Sequence, residues 1–401
     1  MAINLDLNLL SLIVFYAVLF ILIYIKRKNI VVQNKILFLY KTQRFNRLMK
    51  RISDISPRFW RGFGYASIPV GFIAMAFVFA FLTYKLLTIS AVPQLQLILP
   101  APFTLATGPI LFVSFWYFII SIFVVVLVHE GAHGVVAEAF RQKVKAAGAG
   151  LLAIIPLAFV EPDEKKLQKA PTKVQLSIFA AGAMANFVTA AIILLLSLFI
   201  FSPVVSSTVE SNNVEIYALT KDFPAEQAGL QLEDRVLSIN GIDTRSPADF
   251  SSVMQTVSPG DTVSIETERG TFNVVTTNNP RNESQAYIGV SIRAIDLQVK
   301  PELKEIYGNF PLGLLYLYNP IANTLPEYGL LQWIFALNLG IGIINMLPLG
   351  AIDGGRMASL VLQRGLKNPN RAKRVFSILT MASILLIVFN LIGPYIIRSF
   401  A

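Results

Sequence analysis

Five consecutive residues, His129-Glu130-Gly131-Ala132-His133, carry the sharpest chemical signal in the chain. At 3.6 residues per turn, positions four apart share a helical face, so both imidazoles can bind one zinc ion. Glu130 stands beside the first imidazole, placed to accept a proton from a zinc-activated water whose pKa the metal lowers to about 7. These are the only 2 histidines in 401 residues, and both lie inside a long apolar run. An ionisable residue at the centre of a membrane helix costs about 3 kcal/mol. A polar cluster that merely packs helices together is therefore the weaker reading.

A catalytic zinc site needs a third protein ligand and keeps one position open. The candidate is Asp353, in Asn345-Met346-Leu347-Pro348-Leu349-Gly350-Ala351-Ile352-Asp353-Gly354-Gly355-Arg356. Pro348, Gly350, Gly354 and Gly355 must interrupt regular helix at membrane depth, where irregular backbone is tolerated only when buried in protein or lining a wet cavity. Spacing alone favours a blander arrangement, with Asp353 in a loop at the membrane edge paired to Arg356. Depth favours the ligand: His133 lies eight residues before Arg141, which marks the inner boundary. At 1.5 Å per residue the metal would sit on the order of 12–18 Å inside that boundary.

These side chains need membrane-spanning elements to hold them. The chain is 54% hydrophobic and only 14% charged, which indicates a membrane domain with room for one small soluble domain. Six apolar runs are expected to span: Leu7–Ile25, Ala66–Ile89, Ile110–Ala137, Val174–Phe201, Leu330–Leu349 and Val375–Ile397,. The first reads as a retained anchor, because no small-residue cleavage site follows it. Gly148–Val160 is too short to span and suits a re-entrant or edge-packed segment, and Phe310–Leu325 suits the interface. The net charge of +10 does not indicate nucleic acid, because the basic residues gather in short loops. Residues 26–61 hold eleven Lys or Arg against one acid. The loops after the third and fifth spans are basic too, so all three fall on the cytoplasmic side. The absence of cysteine excludes disulfides and thiolate metal sites.

Val205–Glu305 falls on the opposite side and is acidic, with fifteen Asp or Glu against eight Lys or Arg. Strands are expected at Val214–Tyr217, Arg235–Ile239 and Thr262–Ile265, a tight turn at Asn240-Gly241, and a helix over Ser246–Val257. The expected organisation is a first membrane part at 1–204, a soluble α+β domain at 205–305 and a second membrane part at 306–401.

In combination these motifs resemble the site-2 protease family of intramembrane zinc metalloproteases over most of the chain. His129–His133 is similar to its HExxH motif, and Asn345–Gly354 to its N-x-x-P…L/I-D-G motif, with Ile352 replacing the commoner Leu. Gly182–Asn186 resembles a Gly-x-x-x-Asn core motif, and Phe159–Asp163 a segment of one branch. Pro224–Leu230, Asp234–Val236 and Ile239–Gly241 resemble a PDZ domain inserted between the fourth and fifth spans.

The resemblance implies a polytopic α-helical protein of about six spans, with one Zn2+ held by His129, His133 and Asp353 and with Glu130 as general base. It implies regulated intramembrane proteolysis of membrane proteins with a transmembrane segment, and a peptide or chain-end ligand for the PDZ-like domain. By analogy Asn186 and Asn345 are candidate contacts to the substrate carbonyl or oxyanion. The alternatives are that Asn186 bonds across helices and that Asn345 caps the broken fifth span. Gly182 is expected to permit close helix packing, and Glu138 to be a boundary acid off the metal-binding face. Two rivals remain: a zinc transporter, which would spread ligands over several spans, and an inactive relative, which would have lost Glu130 or a ligand.

Overall fold

The computed structural model describes residues 7–27, 30–33, 37–88, 95–101, 105–107, 109–152, 155–280, 282–320, 328–350 and 352–400. Two compact units result: Met1–Ile193 together with Trp333–Ala401, and Leu194–Gln332.

The first unit opens with helix α1 (Leu7–Ile25), strands β1 (Ile30–Gln33) and β2 (Leu37–Lys41), then helices α2 (Gln43–Ile55) and α3 (Pro57–Leu87). Ser56 starts α3 by accepting a hydrogen bond from the Phe59 N–H. Pro57 follows at a position where its missing N–H is not needed. Strands β3 (Leu97–Ala101), β4 (Leu105–Thr107) and β5 (Ile110–Ser114) form a small sheet ahead of α4 (Phe115–Ala139). The expected third span is thus helical only from Phe115. Its first five residues pair in parallel with β3, because an unbroken apolar run has no period to separate strand from helix.

Strands β6 (Val144–Leu152) and β7 (Ile155–Pro162) hold the described residues of the short piece Gly148–Val160. They form an antiparallel hairpin that extends a sheet of order β1-β2-β6-β7, with β7 at its edge. Strand pairing satisfies the backbone that a short non-spanning piece would otherwise leave bare. The short helix α5 (Glu164–Leu167) leads into α6 (Thr172–Leu196).

Small residues form much of this unit's interior. Gly64, Ser67, Gly71 and Ala74 of α3 are buried, as are Ala180, Ala181 and Ala183 of α6. Many large apolar side chains point outward, Ile73 being 68% and Phe123 63% exposed, although others such as Phe115, Leu82 and Ile178 are buried. That inversion is expected where the surroundings are as apolar as the core and close backbone approach drives packing. Polar side chains tie helices together: Arg61 Nε donates to the Ala139 carbonyl at 2.7 Å and Ser67 Oγ to that of Ser177 at 3.3 Å.

A π-helical turn, Ser197–Phe201, continues α6 into the second unit. There follow α7 (Ser202–Thr208), β8 (Val209–Leu219), α8 (Pro224–Gln227), β9 (Arg235–Ile239), β10 (Ile242–Asp243), α9 (Pro247–Gln255), β11 (Thr262–Thr267) and β12 (Gly270–Val275). Strands β13 (Thr277–Asn279), β14 (Asn282–Tyr287) and β15 (Val290–Val299) come next, then α10 (Pro301–Tyr307) and α11 (Phe310–Leu317). The main sheet has the order β12-β11-β9-β8-β15, with β10 paired to β9. Alternate residues of its strands meet in a core of Val214, Ile216, Val236, Ile239, Val263 and Ile265.

The expected strands of this unit lie inside β8, β9 and β11, and the expected helix is α9, opened by a capping box between Ser246 and Asp249,. Asn240 and Gly241, both at positive φ, close the two-residue turn between β9 and β10,. Of the expected interfacial piece Phe310–Leu325, α11 covers the first eight residues, and 321–327 lie outside the described residues.

The chain returns to the first unit through α12 (Leu330–Ile344), α13 (Asp353–Gly365) and α14 (Pro369–Phe400). The expected fifth span, Leu330–Leu349, is helical only to Ile344, and the turn that follows carries Pro348 and Gly350. Among the described residues four helices are long and apolar enough to cross a membrane: α3, α4, α6 with its continuation to Thr208, and α14. Helices α1 and α12 are shorter apolar helices.

Candidate metal centre

Three elements meet at the site. Helix α4 carries His129 and His133 one turn apart, with ring centroids 4.8 Å from each other. Helix α13 begins at Asp353. The segment before it folds back so that the Gly354 N–H donates to the Asn345 carbonyl at 2.8 Å. This reversal depends on missing side chains: a Cβ on Gly355 would lie 1.6 Å from the Leu349 carbonyl oxygen, and one on Gly354 2.2 Å from that of Met346. Asp353 therefore sits at a helix start, where the dipole favours a carboxylate, and not in a loop paired to Arg356. The Arg356 guanidinium lies instead over the Phe179 ring, 5.7 Å from its centroid.

Asp353 Oδ2 is 3.0 Å from His129 Nε2 and 3.2 Å from His133 Nε2, and the two Nε2 atoms are 3.2 Å apart. Zinc–ligand distances near 2.0–2.1 Å at tetrahedral angles put ligand atoms about 3.3 Å apart. The donor set fits in kind as well as spacing. His133 Nδ1 lies 2.6 Å from the Ile178 carbonyl. A carbonyl only accepts, so Nδ1 carries the proton and Nε2 is free to ligate. His129, His133 and Asp353 form a group of titratable side chains among the described residues that could hold a metal ion.

A cavity of about 360 Å³ opens on this cluster, lined by Glu130, Ala158, Val160, Asn345 and Arg356 among others. Glu130 Oε2 accepts a hydrogen bond from the Val160 N–H of β7 at 2.9 Å. This contact had no sequence signal, because a main-chain donor is invisible in the residue string. Asn345, at the end of α12, places Nδ2 3.4 Å from His129 Nε2. Asn186 of α6 is fully buried, and its Nδ2 lies 3.1 Å from His129 Nδ1 on the neighbouring helix α4. Glu138 stays apart from the cluster and accepts from the Val144 N–H at 3.3 Å. The Phe159–Asp163 segment contributes through Phe159, Val160 and Pro162, which line the cavity.

In the second unit, a groove of about 300 Å³ runs between α9 and the β14–β15 corner, lined by Phe250, Met254, Tyr287, Ile288 and Ile292. The sequence marked the helix beside it, but not β14, β15 or the groove.

A family model described as Peptidase family M50 matches residues 117–389. An uncharacterized protein of Methanocaldococcus jannaschii is 27% identical over 241 residues, 59% of this chain and 54% of that protein. Regulator of sigma-W protease RasP of Bacillus subtilis is 26% identical over 261 residues, 57% of this chain and 60% of that protein. Zinc metalloprotease RasP of Geobacillus kaustophilus is 25% identical, over 51% of this chain and 56% of that protein. The chain thus spans between half and two thirds of the length of these curated relatives. Among solved structures, the PDZ domain of an SdrC-like protein of Listeria monocytogenes is 21% identical with a TM-score of 0.18, covering 23% of this chain and 92% of that one. The family match takes in the histidine helix, α6 and the Asp353 segment together, across more than half of the chain. The chain belongs to peptidase family M50.

Proposed function

We propose that the protein is an intramembrane zinc endopeptidase that cleaves transmembrane segments of other membrane proteins. The observation that carries this reading is the convergence of His129, His133 and Asp353 to within 3.2 Å, with Glu130 in the same cavity. One zinc ion held there would polarise the scissile carbonyl and lower the pKa of the attacking water. Glu130, held at Oε2 by the Val160 N–H, takes the water's proton at its carboxylate and delivers it to the leaving amine nitrogen. Asn345 is near enough to the ligands to donate from Nδ2 to the carbonyl oxygen as charge develops.

A transmembrane helix hides its peptide carbonyls, so the substrate must unwind before attack. Among the described residues strand β7 is the outer strand of its sheet, and its Leu157–Val160 stretch lines the cavity. An extended substrate adding to that edge would pass the Glu130 carboxylate. The α9–β15 groove offers a second, separate edge, suited to a chain end or extended peptide in a PDZ-like mode. On charge bias we place the second unit outside, the basic loops in the cytoplasm and the centre toward the cytoplasmic face, within about six spans.

The rival readings gain less support. A transporter calls for successive sites along a path, whereas the described residues gather their histidines at one point, and an inactive relative would lack Glu130. Glu130→Gln is the test: zinc content should stay at one ion per chain while cleavage of a membrane substrate falls by roughly 10²–10⁴-fold. Near-normal turnover in a zinc-loaded variant would sink the mechanism.

A further inference from the structure

Helix α6 touches the histidine pair at three points in register. Ile178, Gly182 and Asn186 are spaced i, i+4 and i+8 and so form one stripe, facing histidines that are themselves i and i+4 on α4,. The Ile178 carbonyl takes the His133 Nδ1 proton at 2.6 Å. Gly182 keeps the middle clear: a Cβ there would stand 2.4 Å from His133 Nε2 and 2.7 Å from His129 Nε2, between the ligating nitrogens. Asn186 completes the stripe, 3.1 Å from His129 Nδ1 and 0% exposed.

One atom of this stripe has no partner among the described residues, the buried Asn186 Oδ1. Amide nitrogen and oxygen are told apart by their hydrogen bonds and not by their shape. Turning the amide over puts Oδ1 on His129 Nδ1 and fixes the proton on Nδ1, the arrangement His133 already has. It moves the amide nitrogen to the place where Oδ1 now has no partner, so what favours it is the free Nε2 that His129 then turns to Asp353 and a metal. The opposite orientation leaves the proton on Nε2, where Asp353 Oδ2 at 3.0 Å would hold it in competition with a metal.

We propose that α6 sets the metal-ready tautomer of both histidines, and that Asn186 is the positioning residue for His129, acting as an acceptor through Oδ1 and not as a substrate contact. Orienting partners of this kind are worth roughly 10–100-fold in metal affinity. The proposal rests on the zinc reading above, so its test separates the two.

The 401-residue chain contains 2 histidines, so uniform [15N]histidine labelling in detergent micelles gives two ring systems. The pair is assigned with a His133→Gln sample. In the metal-free wild-type protein both rings should carry the proton on Nδ1. Asn186→Leu should return His129 to a mixture of tautomers and weaken zinc binding, read by chelator competition, by roughly 10–100-fold. Asn186→Asp keeps an acceptor at the same place and should restore both readouts to within a few-fold. His129 protonated on Nε2 in the metal-free wild type would overturn the proposal without any variant. So would a Leu variant with unchanged tautomer and zinc affinity, or an Asp variant as weak as the Leu variant. If both rings show Nδ1 protons but the wild type takes up no zinc, the tautomer assignment stands and the zinc reading falls.

Discussion

The two units of this chain solve opposite packing problems. In the β-rich unit the interior is Val214, Ile216, Val236, Ile239, Val263 and Ile265, and water drives those side chains inward. In the helical unit Ile73, Phe123 and Ile192 face outward, while Ala180, Ala181, Ala183 and Gly64 lie inside. Lipid offers no hydrophobic gradient, so helices associate by close approach and by polar contacts. Polar groups follow the same division. In the β-rich unit the buried Asp234, Ser238 and Thr276 pair with loop or neighbouring-strand groups, whereas in the helical unit Asn186, Ser67 and Asn390 are buried and bond across helices. A polar residue within an apolar helix is therefore a stronger functional pointer than the same residue in the β-rich unit.

Removing Asp353 should show the sharpest dependence on one polar group. Asp353→Ala leaves two imidazoles as the only protein ligands, and zinc affinity should fall by more than the roughly 10–100-fold that losing a supporting residue costs. Chelator competition measures it, and retention of wild-type affinity would make Asp353 a bystander.

The packing contrast predicts that the two units respond oppositely to side-chain size. Ile265→Ala should destabilise the β-rich unit by about 2–5 kcal/mol through the cavity it leaves. Ala180→Leu should cost the helical unit about 1–3 kcal/mol through overpacking. Ile73→Ala, on an outward face, should stay within about 0.5 kcal/mol. Hydrogen-exchange protection of each unit in nanodiscs reads all three, and a large cost at Ile73 would break the comparison.

A pH-dependent effect concerns a buried ion pair in the β-rich unit. Asp234 is 4% exposed and accepts from Arg269 through both carboxylate oxygens. The Arg269 guanidinium holds its carboxyl below the usual carboxylate range. Because the folded pKa is depressed, the stabilisation is full above the unfolded value near 4 and is lost as pH falls through the folded pKa. Asp234→Asn should cost about 2 kcal/mol at neutral pH and flatten the acid limb of this unit's exchange protection. An unchanged acid limb would remove the pair from the account.

Much of the site was legible because its signals are local. An i,i+4 histidine pair needs only a helix to share a face, and Pro348 with Gly354 and Gly355 announces a broken helix around Asp353 wherever the chain runs. The soluble strands were equally readable, since alternation in water reports burial directly. Between the membrane runs the same reasoning misjudged Ile110–Ser114 and left the strand conformation of Gly148–Val160 open. Apolar residues there carry no period, and only pairing with β3 and β2 decides that they are strands.

The sequence by itself determined which residues could hold a metal, that apolar helices surround them, and that a β-rich unit interrupts them. Tertiary structure alone decided that Asp353 turns toward the histidines and away from Arg356, that β7 reaches Glu130 with a backbone N–H, and that α6 meets both imidazoles. The physical reason is common to all three. Each depends on a main-chain atom or on the register between two elements, and neither is written in the identity of any residue.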